Sequence, residues 1–275
     1  YLASDQMKGR ETGSPEIEHA AKFIGKLFQQ NKIQPLYPQY RDTLKNTRAN
    51  AYNMVGVLPG NDRALKDEYI LIGAHYDHIG LAKVVEGDSI ANGANDNASG
   101  TATVLELSRY FGKHRKNKRG IIFALFSAEE KGLLGSRHLA DRLKKEGINL
   151  YMMLNFEMTG VPMENQDYQI YITGYTKSNL AEEANDLVSG NPIGYLPAEE
   201  NFSLFQRSDN YPFYSAFGIP SHTFCTFDFT NYGHYHKVTD EPKELDYGHM
   251  SDLVNKMIPI VEGLTNSPDQ NVKLK

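Results

Sequence analysis

The chain has a single cysteine, Cys225, among its 275 residues. One cysteine excludes an internal disulfide and a cysteine-rich zinc knuckle. Any metal site must therefore be built from histidine, aspartate and glutamate side chains. The chain also lacks long hydrophobic runs, and none approaches the roughly 20 apolar residues that a membrane-spanning helix needs. We therefore expect no membrane span.

An excess of positive charge is also missing. The chain has 29 Lys and Arg against 34 Asp and Glu, a net charge of −5, and its pI is about 6.0. This balance offers no overall attraction for nucleic acid, so we expect no nucleic-acid partner. The basic run at residues 113–119 is the local exception. It lies between a predicted helix and a predicted strand, and we predict a solvated turn there.

Strand-like and helix-like segments alternate along the chain. The continuous apolar runs YILIGA (69–74) and GIIFALF (120–126) are typical of strands buried on both faces. Further strands are predicted at residues 51–58, 151–156, 168–173 and 219–227. Helices are predicted at residues 15–31, 100–111, 133–145, 179–187 and 247–264. The alternation predicts an α/β fold with a mixed, largely parallel sheet and helices on both faces. We expect residues 1–275 to form one domain.

Metal-binding residue types follow three of the predicted strands. The five residues are His75 and Asp77 after the first apolar run, Glu129 and Glu130 after the second, and Glu157 after residues 151–156. In such sheets the active site lies outside the carboxyl ends of the strands, so these side chains should converge. Imidazole and carboxylate groups together suit zinc.

Two further candidates lie in loops. Asp96 is in a Gly- and Asn-rich loop, and His236 follows the last predicted strand, two residues after His234. A lone histidine or acidic pair is more often a loop, core or helix-start residue, so the set is more informative than its members. We treat His78, His222 and His234 as the histidines most easily mistaken for ligands.

The number of candidates favours two metal ions. A single catalytic zinc takes three protein ligands and leaves one position open. The chain offers five candidate ligands, His75, Asp96, Glu130, Glu157 and His236. A two-metal site with one shared carboxylate uses five ligands, with the metals roughly 3.5–4 Å apart.

Five motifs follow an opening segment, LASDQMKGRETGSPEIEHAAKFI, in a fixed order: GAHYDHIG, GANDNASG, FALFSAEEKGLLGS, NFEMTG and HKVTD. With these motifs the chain resembles the co-catalytic zinc aminopeptidases, a family that also includes aminopeptidase S, aminopeptidase Y and glutamate carboxypeptidase. The matches cover most of the chain. The resemblance implies a zinc-dependent exopeptidase with a phosphorylase/hydrolase-like three-layer sandwich.

The resemblance also implies roles for individual residues and two Zn²⁺ ions. Asp96 would bridge the two ions. Glu130 and His236 would complete one zinc site, and His75 and Glu157 the other.

Three acidic residues would support this centre. Glu129 would be the general base. Asp77 would hydrogen-bond the far nitrogen of His75 and fix its tautomer, as residues behind a ligand do. Asp240 is expected to do the same for His236.

Two positions depart from the family's commonest pattern. Asn95 stands where many members have a second Asp, and Glu157 stands where others have Asp. We expect metal binding to survive both changes. The interval from residue 33 to residue 51 is too short for the protease-associated domain that some members carry.

The resemblance implies that peptides with a free N-terminus are the substrates. It also implies export to the periplasm, the cell surface or the medium; no signal peptide is visible and the chain starts at Tyr1. The aromatic residues between positions 202 and 235 are predicted to be mostly core or lid, with an apolar substrate pocket as the alternative.

Other functions on the same fold stay open. A carboxypeptidase or dipeptidase would need an arginine cluster, but Arg137, Arg142 and Arg207 are scattered in the sequence. A one-zinc glutaminyl cyclase is less expected because both His75 and Asp96 are present. A non-catalytic binding relative, such as the transferrin receptor ectodomain, would lack ligands that this chain has.

Overall fold

A nine-stranded sheet crosses the computed structural model, which describes residues 1–275. The sheet strands are β1 (Gln34–Pro35), β2 (Arg41–Thr43), β3 (Tyr52–Leu58), β4 (Glu68–His75), β7 (Gly120–Phe126), β8 (Asn149–Glu157), β9 (Ile170–Ile172), β10 (Ile193–Gly194) and β11 (Ser221–Cys225). A separate hairpin consists of β5 (Leu81–Val85) and β6 (Asp88–Ile90). The helices are α1 (Pro15–Gln30), α2 (Gly100–His114), α3 (Leu134–Lys145), α4 (Leu180–Asn185), α5 (Ala198–Asn201), α6 (Asn210–Phe217) and α7 (Tyr247–Asn266).

The centre of the sheet is parallel, and its margins are mixed. The strand order is β1-β3-β7-β4-β8-β11-β9-β10, with β2 also paired to β3. The pairs β7-β4, β4-β8 and β8-β11 are parallel, whereas β3-β7 and β11-β9 are antiparallel. The four central strands therefore end at the same edge, which is where the candidate site residues lie.

Alternate residues of the central strands pack into two separate cores. Ile70 and Ile72 point toward α1, α2 and α7, whereas Leu71 points toward α3 and α6. Side chains alternate between the two faces of a strand, so a continuous apolar run makes both faces apolar. Both faces must then be covered by helices. The predicted largely parallel α/β sheet is confirmed.

Local signals set the start of α1. Ser14 is extended and its Oγ accepts a hydrogen bond from Ile17 N at 3.2 Å, with Pro15 in the first turn. This is the expected geometry of a serine N-cap followed by a proline.

The basic run at residues 113–119 is not wholly solvated. Residues 113–116 and Lys118 are exposed, but Arg119 is fully buried. Its Nε donates to Glu68 Oε2 at 2.8 Å, and its guanidinium lies over the ring of Tyr151. The prediction was wrong for Arg119, because an ion pair and an aromatic ring replace the water that a buried guanidinium loses.

None of the helices combines the length and the apolar character that crossing a bilayer requires.

Candidate metal centre

Three adjacent parallel strands bring the predicted residues together. His75 is the last residue of β4, and Glu157 is the last residue of β8. Glu129 and Glu130 lie three and four residues beyond the end of β7, which pairs with β4 on its other side. Since neighbouring parallel strands end at one edge, residues more than 80 positions apart become neighbours.

The first donor group contains His75, Asp96 and Glu157. His75 Nε2 lies 2.9 Å from Glu157 Oε1 and 3.3 Å from Asp96 Oδ1. The three donor atoms all lie within 4.8 Å of one another. One imidazole and two carboxylates at this spacing form a three-ligand set for a divalent cation.

The second donor group shares Asp96 with the first. His236 Nε2 lies 3.1 Å from Asp96 Oδ2 and 3.4 Å from Glu130 Oε2. Asp96 therefore directs Oδ1 toward His75 and Oδ2 toward His236. The structure brings His236 to this carboxylate, whereas His234 Nδ1 lies 2.9 Å from Thr239 Oγ1.

A third histidine also reaches this group. His78 Nδ1 lies 2.9 Å from Glu130 Oε1 and 3.7 Å from Asp96 Oδ2, and these three side chains form a second possible metal-binding cluster. His78 is fully buried, and its Nε2 has no hydrogen-bond partner. We predicted that His78 is not a ligand, and the structure nevertheless brings its imidazole to Glu130 within the site. In the sequence, this role could have been inferred from the second histidine of the run HYDH at residues 75–78.

A glycine makes room for His78. Gly93 has φ +59°, and a Cβ there would lie 2.5 Å from His78 Cγ. A side chain at position 93 would thus be strained by its backbone and would displace the imidazole.

Asp77 links the first donor group to the predicted base. The His75 Nδ1 atom lies 3.1 Å from the Asp77 carbonyl oxygen but 3.7 Å from carboxylate Oδ1. The Asp77 carboxylate accepts hydrogen bonds from Glu129 N at 3.2 Å and from Thr12 Oγ1 at 2.9 Å. The main-chain oxygen of Asp77, rather than its carboxylate, is therefore the hydrogen-bond partner of His75 in this structure.

Asp240 has a different partner from the one expected. Its carboxylate accepts hydrogen bonds from Asn95 N at 2.7 Å, Asp96 N at 3.1 Å and Tyr232 Oη at 2.6 Å. The expected contact with His236 was wrong. Asp240 instead fixes the backbone of the loop that carries Asp96.

The electrostatics of the site favour a charged, tightly paired cluster. Burial opposes a proton on His75, but nearby carboxylates, Glu157 foremost, raise its pKa well above the usual value. Burial would raise the pKa of Asp96, yet the facing histidines, His78 foremost, hold it well below its usual range. The pKa of Glu129 is well above the usual value because of burial and because of its acidic neighbours.

Ser208 and Asn155 support the Glu157 end of the site. Ser208 Oγ donates to Glu157 Oε2 at 2.8 Å, and Asn155 Nδ2 donates to Ser208 Oγ at 2.8 Å. The neighbouring Asp209 is fully buried, and neither carboxylate oxygen has a hydrogen-bond partner. Burial raises the pKa of Asp209 to about 7.

A cavity opens over these residues. It contains both donor groups and has an apolar section lined by Met158, Tyr171, Leu204, Cys225, Phe227, Phe229 and Tyr235. Of the aromatic residues between positions 202 and 235, Phe205 and Phe213 belong to buried packing. Others, such as Phe227 and Tyr235, face the cavity, so packing and pocket lining are both present.

The donor set fits zinc. Two imidazole nitrogens and three carboxylates meet at one sheet edge, and a carboxylate buried as deeply as Asp96 needs cationic partners. Ligand oxygens alone would suit calcium or magnesium, but the histidines favour zinc. The fold and the site thus define an α/β protein with a candidate zinc centre at the carboxyl edge of its sheet.

Comparison with known proteins identifies the family. Residues 53–261 match the family model described as Peptidase family M28. The chain belongs to this peptidase family.

Curated relatives of the chain are longer than the chain itself. It is 28% identical over 225 residues to a probable leucine aminopeptidase of Trichophyton verrucosum, covering 79% of the chain and 57% of that protein. It is 42% identical over 112 residues to a probable zinc metalloprotease of Pyrenophora tritici-repentis, covering 40% of the chain and 25% of that protein. The chain therefore spans less than two thirds of each relative.

Solved structures share the fold. The Legionella pneumophila LapA aminopeptidase matches with a TM-score of 0.75 at 22% identity, covering 98% of this chain and 70% of LapA. A Bacteroides thetaiotaomicron glutaminyl cyclase matches with a TM-score of 0.71 at 17% identity, covering 95% of each chain. At these identities the likeness concerns the fold alone.

Proposed function

We propose that this protein is an aminopeptidase that binds two Zn²⁺ ions and hydrolyses the N-terminal peptide bond of peptides. The observation that carries the proposal is the position of Asp96, which directs one carboxylate oxygen to His75 and the other to His236. A bridging carboxylate of this kind is what a two-metal hydrolytic site requires. Relatives described as a leucine aminopeptidase and a zinc metalloprotease support the proposal.

Two ligand sets would hold the ions. His75, Asp96 and Glu157 would bind one zinc; Asp96, Glu130 and His236 would bind the other. Bound zinc supplies a Lewis acid for the scissile carbonyl and lowers the pKa of water toward about 7. Deprotonated ligands are needed, so zinc binding would displace the protons that the carboxylates favour on His75 and His236.

Glu129 would be the general base. It lines the cavity beside both donor groups but belongs to neither of them. Its backbone N–H is held by Asp77, which fixes the start of the turn that carries the side chain. A carboxylate in this position can take a proton from the attacking water and give it to the leaving amine.

The Glu157 end of the site would hold the free amine of the substrate. Glu157 accepts a hydrogen bond from Ser208. Its neighbour in the chain, Met158, belongs to the lining of the apolar section of the same cavity. That section would receive the first side chain of the peptide. Only substrates with an uncapped N-terminus would place the free amine at Glu157 and the first side chain in the apolar section at the same time.

The complete donor set favours this function over its alternatives. A one-zinc glutaminyl cyclase would not need both groups around Asp96, and a non-catalytic relative would not need Glu129. A carboxypeptidase would need several cations for the terminal carboxylate, and the cavity contains one arginine, Arg207.

We also propose that residues 1–275 form one catalytic domain and that the protein is exported. The single large sheet with helices on both faces supports the first proposal. Export rests on the family resemblance alone, and fractionation of the source cells tests it.

The test uses a short peptide with a free N-terminus and the same peptide with an N-acetyl cap. Release of free amino acid is measured as purified, after chelation, and after zinc return, together with the zinc content per chain. We expect cleavage of the uncapped peptide only, loss on chelation, recovery with zinc, and two zinc ions per chain. Equal cleavage of the capped peptide, or cleavage from its other end, would refute the proposed amine recognition; one zinc per chain would refute the two-metal centre.

A further inference from the structure

Arg207 is the one lysine or arginine that lines the cavity over the candidate metal centre. The other charged lining residues are acidic or histidine, and the remaining lining residues are polar or apolar. Arg207 is exposed to solvent, and a substrate in the cavity that it lines would lie within the field of this permanent cation.

The guanidinium of Arg207 has no partner in the protein. It forms no ion pair with an acidic side chain and no hydrogen bond with the backbone or another side chain. By contrast, the buried Arg10 and Arg119 each donate several hydrogen bonds to carbonyl or carboxylate oxygens. Arg207 is therefore available to bind a ligand without first breaking a contact.

The backbone at this position is nevertheless fixed. Arg207 N donates to Leu204 O at 3.0 Å, which closes a short turn. The next residue, Ser208, is bonded to both Glu157 and Asn155. The backbone of Arg207 is thus held next to the residue that supports the proposed amine-binding end of the site.

These observations point to a carboxylate as the group that Arg207 recognises. The guanidinium is planar and always charged, and it offers paired N–H donors that match a carboxylate. Without Arg207, the side chains that line the cavity would offer a carboxylate no permanent cation. Arg207 makes the cavity suitable for anionic substrates as well as apolar ones.

We propose that Arg207 binds a carboxylate of the substrate and makes the enzyme selective for peptides that carry one close to the scissile bond. The carboxylate is either the side chain of an acidic N-terminal residue or the C-terminus of a dipeptide. The proposal rests on the proposed aminopeptidase function and adds a substrate class to it.

Two matched substrate pairs test this and distinguish the two sources. Glutamyl and glutaminyl p-nitroanilide differ by the charge of the first side chain; Leu-Ala and Leu-Ala amide differ by the C-terminal charge. We compare kcat/KM within each pair for the zinc-loaded wild type, Arg207→Gln and a control, Arg137→Gln. Arg137 is an exposed arginine of α3 outside the cavity.

We expect the wild type and Arg137→Gln to prefer the charged member of one pair. Arg207→Gln should reduce that preference by about 10- to 100-fold, the effect of one bidentate charge-assisted contact. The pair that responds identifies the source of the carboxylate.

The remaining outcomes separate this inference from the proposed function. If neutral substrates are cleaved but neither pair shows a preference, or if Arg207→Gln keeps the preference, the Arg207 proposal is wrong and the aminopeptidase stands. If only Leu-Ala is cleaved and Arg207→Gln abolishes this, the Arg207 proposal holds and the enzyme is a dipeptidase. If no substrate is cleaved, both proposals fail.

Discussion

The chemistry of individual side chains at this site depends on which partners they meet. The chain has nine histidines, and four of them show the range. His75 and His236 face the shared carboxylate of Asp96, and His78 faces Glu130. His222 belongs to neither donor group and contacts Ser178 and a main-chain oxygen. The same side chain thus serves as a candidate ligand, a support for a ligand and a buried structural group.

Glu129→Gln tests the distinction between a base and a ligand. The amide keeps the shape of Glu129 but cannot accept the proton, so we expect kcat to fall by about 10²- to 10⁴-fold. Zinc content should remain as in the wild type, because neither donor group uses Glu129. Metal analysis and steady-state kinetics check this, with the exposed Glu106→Gln as control. Loss of a zinc ion from Glu129→Gln would show that this residue is a ligand.

His78→Ala tests the support of Glu130. Without the imidazole 2.9 Å from Glu130 Oε1, the carboxylate loses one orienting partner. Removing such a partner costs about 10- to 100-fold in metal affinity, and we expect that loss for one of the two zinc ions. Competition with a chromogenic chelator measures it.

Two further variants make the His78 result specific. His78→Asn keeps a donor near Glu130 and should recover part of the affinity. His234→Ala, which removes a nearby histidine outside both groups, should bind zinc like the wild type. Unchanged zinc affinity in His78→Ala would contradict the supporting role.

At the scale of secondary structure, most predicted elements are present with small shifts of their ends. The strand at 120–126 has the predicted limits, and helix α1 begins at Pro15 as predicted. Long apolar runs and an N-cap are local signals, so the sequence carries them without help from distant residues. Helix α6 was not predicted, because it has only eight residues, four of them aromatic. Its formation depends on packing against α3 and β11.

Strand β11 contains a buried histidine that couples stability to pH. His222 Nδ1 lies 2.8 Å from Thr173 O and Nε2 lies 2.7 Å from Ser178 Oγ. Burial lowers its pKa from 6.5 to about 4. The unfolded chain therefore binds a proton below pH 6.5 that the folded chain does not bind until about pH 4. A fall in pH from 6.5 to about 4 therefore favours unfolding. Above pH 6.5 the neutral His222 makes its full contribution to the free energy of unfolding.

His222→Gln should remove this contribution. Between pH 7.5 and pH 5, the wild type should lose about 2 kcal/mol of unfolding free energy through His222. Over the same interval, the loss of unfolding free energy should be smaller in the variant than in the wild type by this amount, even if the variant is less stable at pH 7.5. Urea unfolding of both proteins at the two pH values measures the difference. Parallel losses in wild type and variant would contradict the assignment.

At the scale of the whole molecule, the candidate centre joins segments from across the chain. Its donors come from the ends of β4 and β8, the turn after β7, the loop at residues 94–99 and the segment after β11. A cation that binds all of them stabilises the folded state only, because the unfolded chain does not hold them together.

Removal of zinc should therefore lower the melting temperature. A ligand present at 1,000 times its Kd contributes about 4 kcal/mol, which corresponds to a shift of roughly 10 °C for a chain of this size. Differential scanning calorimetry before and after chelation measures the shift, and returned zinc should reverse it. Glu129→Gln should show the same shift as the wild type. A melting temperature that does not change on chelation would exclude a centre that spans these segments.

The sequence by itself determined the α/β class, the largely parallel sheet and the family, because apolar periodicity and contiguous motifs are local properties of the chain. It also placed histidines and carboxylates at strand ends that had to meet. Only the tertiary structure decided that His78 contacts Glu130, that Asp240 holds the Asp96 loop across 144 positions, and that Arg207 enters the cavity unpaired. These contacts join residues far apart in sequence, and their partners follow from strand order and loop packing, which no local pattern encodes.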